Sequence, residues 1–188
     1  MKTLITLVAL LSSVTAHLAA QAPVQLTAEE QALMEAAYLG KLDEVRRLVL
    51  SGVPVDVIDD ERRTPMMFAA FNGHAAVAEY LQDAGAEIDA KDSSGRTALM
   101  YAASGPFVET VGLLLKRGAE VNVQGTLEGF TPLMTAAAEG LADVVRILLT
   151  AGADPDIKDK DGDTALTFAK QNGHSEVAAL LENPPASE

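Results

Sequence analysis

The fold class that the sequence predicts is all-α: a solenoid of about five helix-turn-helix units with short β-hairpin fingers, behind an N-terminal signal peptide. Three features carry that expectation. The blocks Thr64-Pro65-Met66-Met67, Thr97-Ala98-Leu99-Met100, Thr131-Pro132-Leu133-Met134 and Thr164-Ala165-Leu166-Thr167 recur at spacings of 33, 34 and 33, and a further step of 33 before Thr64 reaches Gln31-Ala32-Leu33-Met34. Glycines keep the same beat, with Gly40, Gly73, Gly140 and Gly173 nine residues into their units and Gly52, Gly85, Gly118 and Gly152 twenty-one residues in. Asp56, Asp89, Asn122 and Asp156 all lie twenty-five residues in. Coincident phases at a period of this length mark a stacked-repeat architecture.

The elements follow in order. Lys2 precedes the apolar run Thr3-Leu4-Ile5-Thr6-Leu7-Val8-Ala9-Leu10-Leu11, and polar and small residues follow it. That is the layout of a secretory signal peptide over residues 1–20, with cleavage after Ala16 or Ala20. The run breaks before the ~20 apolar residues a spanning helix needs. A short leader, 21–26, and the repeat domain, 27–183, come next, with units near 31–63, 64–96, 97–130, 131–163 and 164–183 and a tail at 184–188. Thr27-Ala28-Glu29-Glu30 reads as a capping box opening the first helix. Thr at each later unit start supplies a cap, and Pro65 and Pro132 stand at the first helical position, where no amide bond is lost. Pairs such as Ala69-Ala70 and Ala136-Ala137 let first helices approach closely. The glycine nine residues in suits a left-handed helix end. Sets such as Val77/Tyr80/Leu81 and Val144/Leu148/Leu149 line the second helix, and stretches such as Asp89-Ala90-Lys91-Asp92-Ser93-Ser94-Gly95 have the turn chemistry of a finger. Asn183-Pro184-Pro185 closes the last unit without one.

The second unit shows the pattern in full: Thr64-Pro65-Met66-Met67-Phe68-Ala69-Ala70-Phe71-Asn72-Gly73-His74, then Val77, Leu81, Gly85-Ala86, Asp89, Asp92 and Gly95. It resembles the ankyrin repeat, with its 33-residue period and T-P-L-H-x-A signature. The resemblance runs from near residue 31 to the low 180s. It departs from the family in two places. Met34, Met67, Met100 and Met134 replace the signature His, so the hydrogen bonds that the resemblance would assign to that His are expected to be missing. Stacked, these thioethers are read as adaptable core packing, with an oxidant trap or soft-metal ladder as the functional alternative. In the third unit Ser104-Gly105-Pro106-Phe107 replaces Gly-His, and Gln124-Gly125-Thr126-Leu127-Glu128-Gly129-Phe130 carries an extra residue, predicting a longer finger.

Composition narrows the chemistry. The 188 residues carry 14 Lys and Arg against 27 Asp and Glu, a formal charge of −13. Loss of the leader removes only Lys2 and makes it −14. That balance opposes nucleic acid and anionic membrane surfaces. No second hydrophobic segment follows the leader, so no membrane association is expected after its removal. With no cysteine, disulfides, thiolate metal sites and cysteine nucleophiles are excluded. His74 and His174 sit three units apart, roughly 30 Å at a ~10 Å layer spacing, too far to share a site. The acidic stretch Asp154–Asp163 does not fit a calcium loop, because setting Gly162 at the glycine position puts Ile157 first and Phe168 last among the ligands. No catalytic, metal or cofactor site is expected.

What remains is a concave binding face. The resemblance places it on the finger tips and on first-helix positions four, seven and eight residues into each unit. The candidate partner-binding residues are Tyr38, Arg62, Arg63, Phe68, Phe71, Asn72, Arg96, Tyr101, Leu127, Phe130, Thr135, Glu139 and Phe168. Five of the eight aromatic residues fall at the helix positions, and Phe130 adds a sixth at the base of the long finger. Such rings either cover the alanine-rich helices or anchor an interface. The resulting expectation is an exported protein-interaction module, bacterial and periplasmic, monomeric outside its complex. It would bind and mask, inhibit, stabilise or protect a partner, an exported enzyme. The competing readings are a periplasmic oxidant or metal buffer on the methionine row, and a passive structural adaptor.

Overall fold

The computed structural model describes residues 25–184. The expected signal peptide, its cleavage points, most of the 21–26 leader and nearly all of the 184–188 tail lie outside these residues. The described chain forms five antiparallel helix pairs: α1 (Ala28–Tyr38) with α2 (Leu42–Leu50), α3 (Pro65–Phe71) with α4 (Ala75–Asp83), α5 (Ala98–Ala102) with α6 (Val108–Lys116), α7 (Pro132–Ala138) with α8 (Ala142–Thr150), and α9 (Ala165–Gln171) with α10 (Ser175–Glu182). The odd-numbered helices stack on one another as an inner layer and the even-numbered ones as an outer layer. None of these helices is long and apolar enough to cross a membrane.

Local chemistry starts the helices where the sequence places them. Thr27 accepts from the Glu30 N–H while the Glu30 carboxylate accepts from the Thr27 N–H, the reciprocal box predicted for α1. Thr64, Thr131 and Thr164 cap α3, α7 and α9 from their hydroxyls. In α3 the thioether of Met67 takes the Thr64 N–H at 3.4 Å, so sulfur fills part of the role of the missing signature His. The whole methionine row is buried. It packs the core beside Leu33, Leu81, Leu99, Leu133 and Leu148, an arrangement that suits packing rather than solvent-facing redox chemistry.

The junctions between units show what holds the stack in register. Asn72 Nδ2 and His74 Nε2 both reach the Tyr38 carbonyl of the unit before, at 2.8 and 3.0 Å. Asn172 and His174 repeat this on the Ala138 carbonyl, at the same two distances. Each His ring lies flat against a glycine of the preceding unit, Gly40 or Gly140, where even a Cβ would come within 2.6 Å or 2.5 Å of the ring. Phe107 occupies the His position in the third unit and lies in the same way on Gly73. It fills the space and donates nothing. The third unit is also the one with the shortest inner helix and with two buried hydroxyls, Thr97 Oγ1 and Thr110 Oγ1, that have no hydrogen-bond partner.

The fingers exist, but their form differs from the β-hairpins expected: no strand occurs among the described residues. Each regular finger folds around one carboxylate instead. Asp59 takes the N–H groups of Glu61 and Arg63, Asp92 those of Ser94 and Arg96, and Asp159 those of Asp161 and Asp163. Such Asx turns leave one closing backbone pair per finger, too short for a ladder. Single amide bonds then tie tip to tip: Ser93 to the Glu61 carbonyl, Thr126 to Ser94, and Lys160 to Glu128. Gly125 stands where the carboxylate belongs in the long finger, and Gln124 Nε2 bridges the Gly129 and Lys158 carbonyls in its place.

Arg62 has φ of 61°, the one positive φ at a non-glycine position among the described residues. The later fingers place Gly95, Gly129 and Gly162 at the same phase. A left-handed residue with a Cβ costs about 1–2 kcal/mol, so Arg62→Gly is expected to stabilise the protein by about 1 kcal/mol. Chemical denaturation checks this, and an unchanged or lower midpoint contradicts it.

Candidate functional site

The inner helices and the fingers enclose a groove whose floor and walls are aromatic. Its rings meet edge to face: Tyr38 with Phe68 at 6.2 Å between centroids, Phe71 with Tyr101 at 6.1 Å, and Phe130 with Phe168 at 4.9 Å. The first two pairs each join one unit to the next, and the third joins the base of the long finger to the last unit. Two finger cations lie over ring faces, Arg63 on Phe68 at 4.9 Å and Arg96 on Tyr101 at 4.7 Å. These arginines stand immediately before Thr64 and Thr97, and the matching position before Thr131 is Phe130, so in the long finger a ring replaces the cation.

Two clefts open along the groove. The smaller, of about 130 Å³, is lined by Tyr38, Arg63, Met67, Phe68, Phe71 and Tyr101. The larger, of about 370 Å³, lies between the second and fourth units, bounded by Phe71, Met100, Tyr101, Leu127 and Phe130, with Arg96, Thr135 and Glu128 at its margins. Tyr38 and Phe71 remain 44% and 45% exposed and Leu127, on the long finger, 65%, which leaves apolar area available for contact. The longer finger predicted from the extra residue is therefore one wall of the larger cleft.

Asp92 organises the centre of the groove. Its side chain is 1% exposed. It accepts from the Ser94 and Arg96 N–H groups, both at 2.8 Å, from Arg96 Nε at 2.9 Å and from the Tyr101 hydroxyl at 2.7 Å. Burial pushes its carboxyl upward, but the Arg96 amide, the Tyr101 hydroxyl and the Arg96 guanidinium outweigh that and hold it below the usual carboxylate range. The Tyr101 phenol shifts upward, first because it is buried and then because it donates to Asp92. The hydroxyl thus stays protonated and oriented throughout the physiological range.

Most of the predicted residues come together here: Tyr38, Arg63, Phe68, Phe71, Arg96, Tyr101, Leu127, Phe130 and Thr135 line the two clefts, and Phe168 backs Phe130. Three do not. Asn72 shares the groove phase, but its amide folds back onto the Tyr38 carbonyl, a tie within the stack. Arg62 turns with its strained backbone to a polar recess beside Asp56, Glu87, Asp89 and Lys91. Glu139, exposed just beyond α7, lines neither cleft. Thr135 spends its hydroxyl on the Thr131 carbonyl and offers the cleft mainly its methyl group. Asp92, Met67, Met100 and Glu128 line or brace the groove and were not among the predicted residues. The signal that could have found Asp92 is its phase, shared with Asp59 and Asp159, together with a tyrosine nine residues on.

A family model described as ankyrin repeats, in three copies, matches overlapping stretches at 7–92, 33–125, 85–159 and 107–186. The chain is an ankyrin-repeat protein. The ankyrin repeat protein nuc-2 of Neurospora crassa is 33% identical over 149 residues, which is 79% of this chain and 14% of that protein. Ankyrin repeat family A protein 2 of Mus musculus is 49% identical over 49 residues, 26% of this chain and 16% of the relative. An E3 ubiquitin-protein ligase, hecd-1 of Caenorhabditis elegans, is 48% identical over 54 residues, 27% of this chain and 2% of the ligase. The ankyrin-repeat chain thus spans a small fraction of each relative's length. Ankyrin repeats are typically a non-catalytic module for protein–protein interaction.

Proposed function

We propose that this ankyrin-repeat protein is an exported binding protein without catalytic activity of its own, which docks a folded partner in its concave face. The partner is read as an exported enzyme that the protein masks, inhibits, stabilises or protects in a bacterial periplasm. The apolar stretch behind Lys2 supports the compartment. The observation that carries the binding role is the groove itself: three edge-to-face ring pairs, each linking different units, run along one face and leave apolar area uncovered. Aromatic anchors in partly enclosed clefts are where interface energy concentrates.

Phe68→Ala combined with Tyr101→Ala tests this. The full protein, immobilised and exposed to the envelope fraction of its source, is expected to retain a partner that the double variant loses. Equal capture by the variant would discard the groove. Assaying the captured partner with and without the protein then separates a regulator, which changes that activity, from a passive adaptor, which does not.

A further inference from the structure

We infer that the larger cleft takes a loop of the partner in which an acidic side chain sits next to a large apolar one. This rests on the concave-face reading above and specifies the chemistry the groove selects.

The inference turns on what two similar arginines do with their guanidinium groups. Arg63 is used up: Nε and one terminal amino group bind Asp59, each at 2.7 Å, and the other reaches Glu61 at 3.4 Å. Arg96 binds its own finger aspartate through Nε alone, at 2.9 Å, and its side chain is 44% exposed. Among the described residues neither of its terminal amino groups makes a hydrogen bond. The plane of the group lies over Tyr101, and Asp92 fixes its near edge, so the free edge is held in place at the margin of the cleft. The ion pair with Asp92 is neutral in sum, but it leaves the terminal N–H groups of Arg96 free to donate. A fixed guanidinium fork with a free edge matches a carboxylate, with two parallel N–H···O bonds.

The rest of the cleft sets what must accompany that carboxylate. Phe71, Met100, Leu127 and Phe130 give it apolar walls, and its volume of about 370 Å³ suits one large apolar side chain with its flanking backbone. Glu128, which lines the cleft from the long finger, repels an acid seated beside it, so the carboxylate goes to Arg96 and the apolar group to the walls. Backbone bonds tip to tip, including Thr126 to the Ser94 carbonyl, preform both margins, which favours the surface loop of an already folded protein.

A library of short randomised loops displayed on a rigid folded scaffold, selected on the full-length protein and counter-selected on its Phe68→Ala/Tyr101→Ala variant, tests this. Enrichment of loops with Asp or Glu beside Phe, Leu, Met, Trp or Tyr is expected. Exchanging that acid for its amide in a selected loop should weaken binding about tenfold or more. The exchange alters the probe and leaves this protein's fold untouched. Arg96→Met should erase the difference between acid and amide loops. Groove-dependent loops with no acidic preference, or with Lys or Arg in its place, overturn this inference and leave the concave face standing. If every binding loop is indifferent to the double variant, the concave face falls as well.

Discussion

Gly73→Ala is expected to lower the stability of the protein by about 3 kcal/mol, combining a left-handed backbone cost of ~1–2 kcal/mol with an overpacking cost of ~1–3 kcal/mol. For a chain of this length that is a fall in melting temperature of about 6–12 °C. Gly73 has φ of +72°, and a Cβ there would stand 2.2 Å from Cδ1 of Phe107, in the next unit. Gly85 provides the control. Its φ is +97°, but nothing lies within 4 Å of a Cβ there, so Gly85→Ala should show the backbone cost alone. A double variant, Gly73→Ala with Phe107→Ala, separates the two contributions, because removing the ring should recover the steric part and leave the mutations non-additive. Equal losses at Gly73 and Gly85 would mean that the ring does not brace the junction. In a stack where each unit touches only its neighbours, a fault at one junction separates the flanking pairs. The third unit, with its short α5 and two unpaired buried hydroxyls, has little with which to compensate.

This junction also shows where the sequence speaks clearly and where it does not. The period of 33, the Thr caps and the glycines at helix ends are local signals, set by backbone geometry within a few residues, and each unit repeats them. They disclosed the five-unit stack and the face on which the rings fall. Phe107 looked like a lapse in the pattern, since nothing nearby in sequence says that Gly73, 34 residues earlier, accepts its ring as Gly40 accepts that of His74. The tie that Asn72 makes within the stack was not legible for a related reason. Phase gives the side of a helix, but whether a short amide extends outward or folds over the helix end onto Tyr38 depends on the unit before. The fingers were expected as hairpins because their turn residues are those of hairpins. Asp59, Asp92 and Asp159 satisfy the turn amides from the side chain, and so few backbone pairs remain that no strand forms. The free edge of Arg96 was not legible at all, because it follows from the difference between one and two acidic partners in adjacent fingers.

Asp92→Ala should be as damaging as the junction variant and, unlike it, should change binding and pH response together. The buried carboxylate satisfies two backbone amides, a guanidinium and a phenol, and deleting one partner of such a network costs about 3 kcal/mol. It also frees Arg96 and Tyr101 from their fixed positions, so affinity for the partner should fall, whereas Glu128→Gln should not lower it. The pH dependence follows from the lowered carboxyl. A group whose folded value lies below its unfolded value of about 3.9 contributes stability above that pH and loses it progressively as the pH falls toward the folded value. Acid titration of the wild type should therefore show a loss of stability below about pH 4 that is smaller in Asp92→Asn, which keeps the shape of the side chain without its charge. Tyr101 adds the opposite limb. Its raised phenol contributes stability below about pH 10 that disappears only as the pH rises beyond that value. Between those limits the Asp92–Arg96–Tyr101 cluster keeps one protonation state, so partner affinity should be flat from about pH 5 to 9. Affinity that varied strongly within that window would require a titrating group other than these three, and variation that persisted when only the partner's own titrating groups were removed would place that group in the groove.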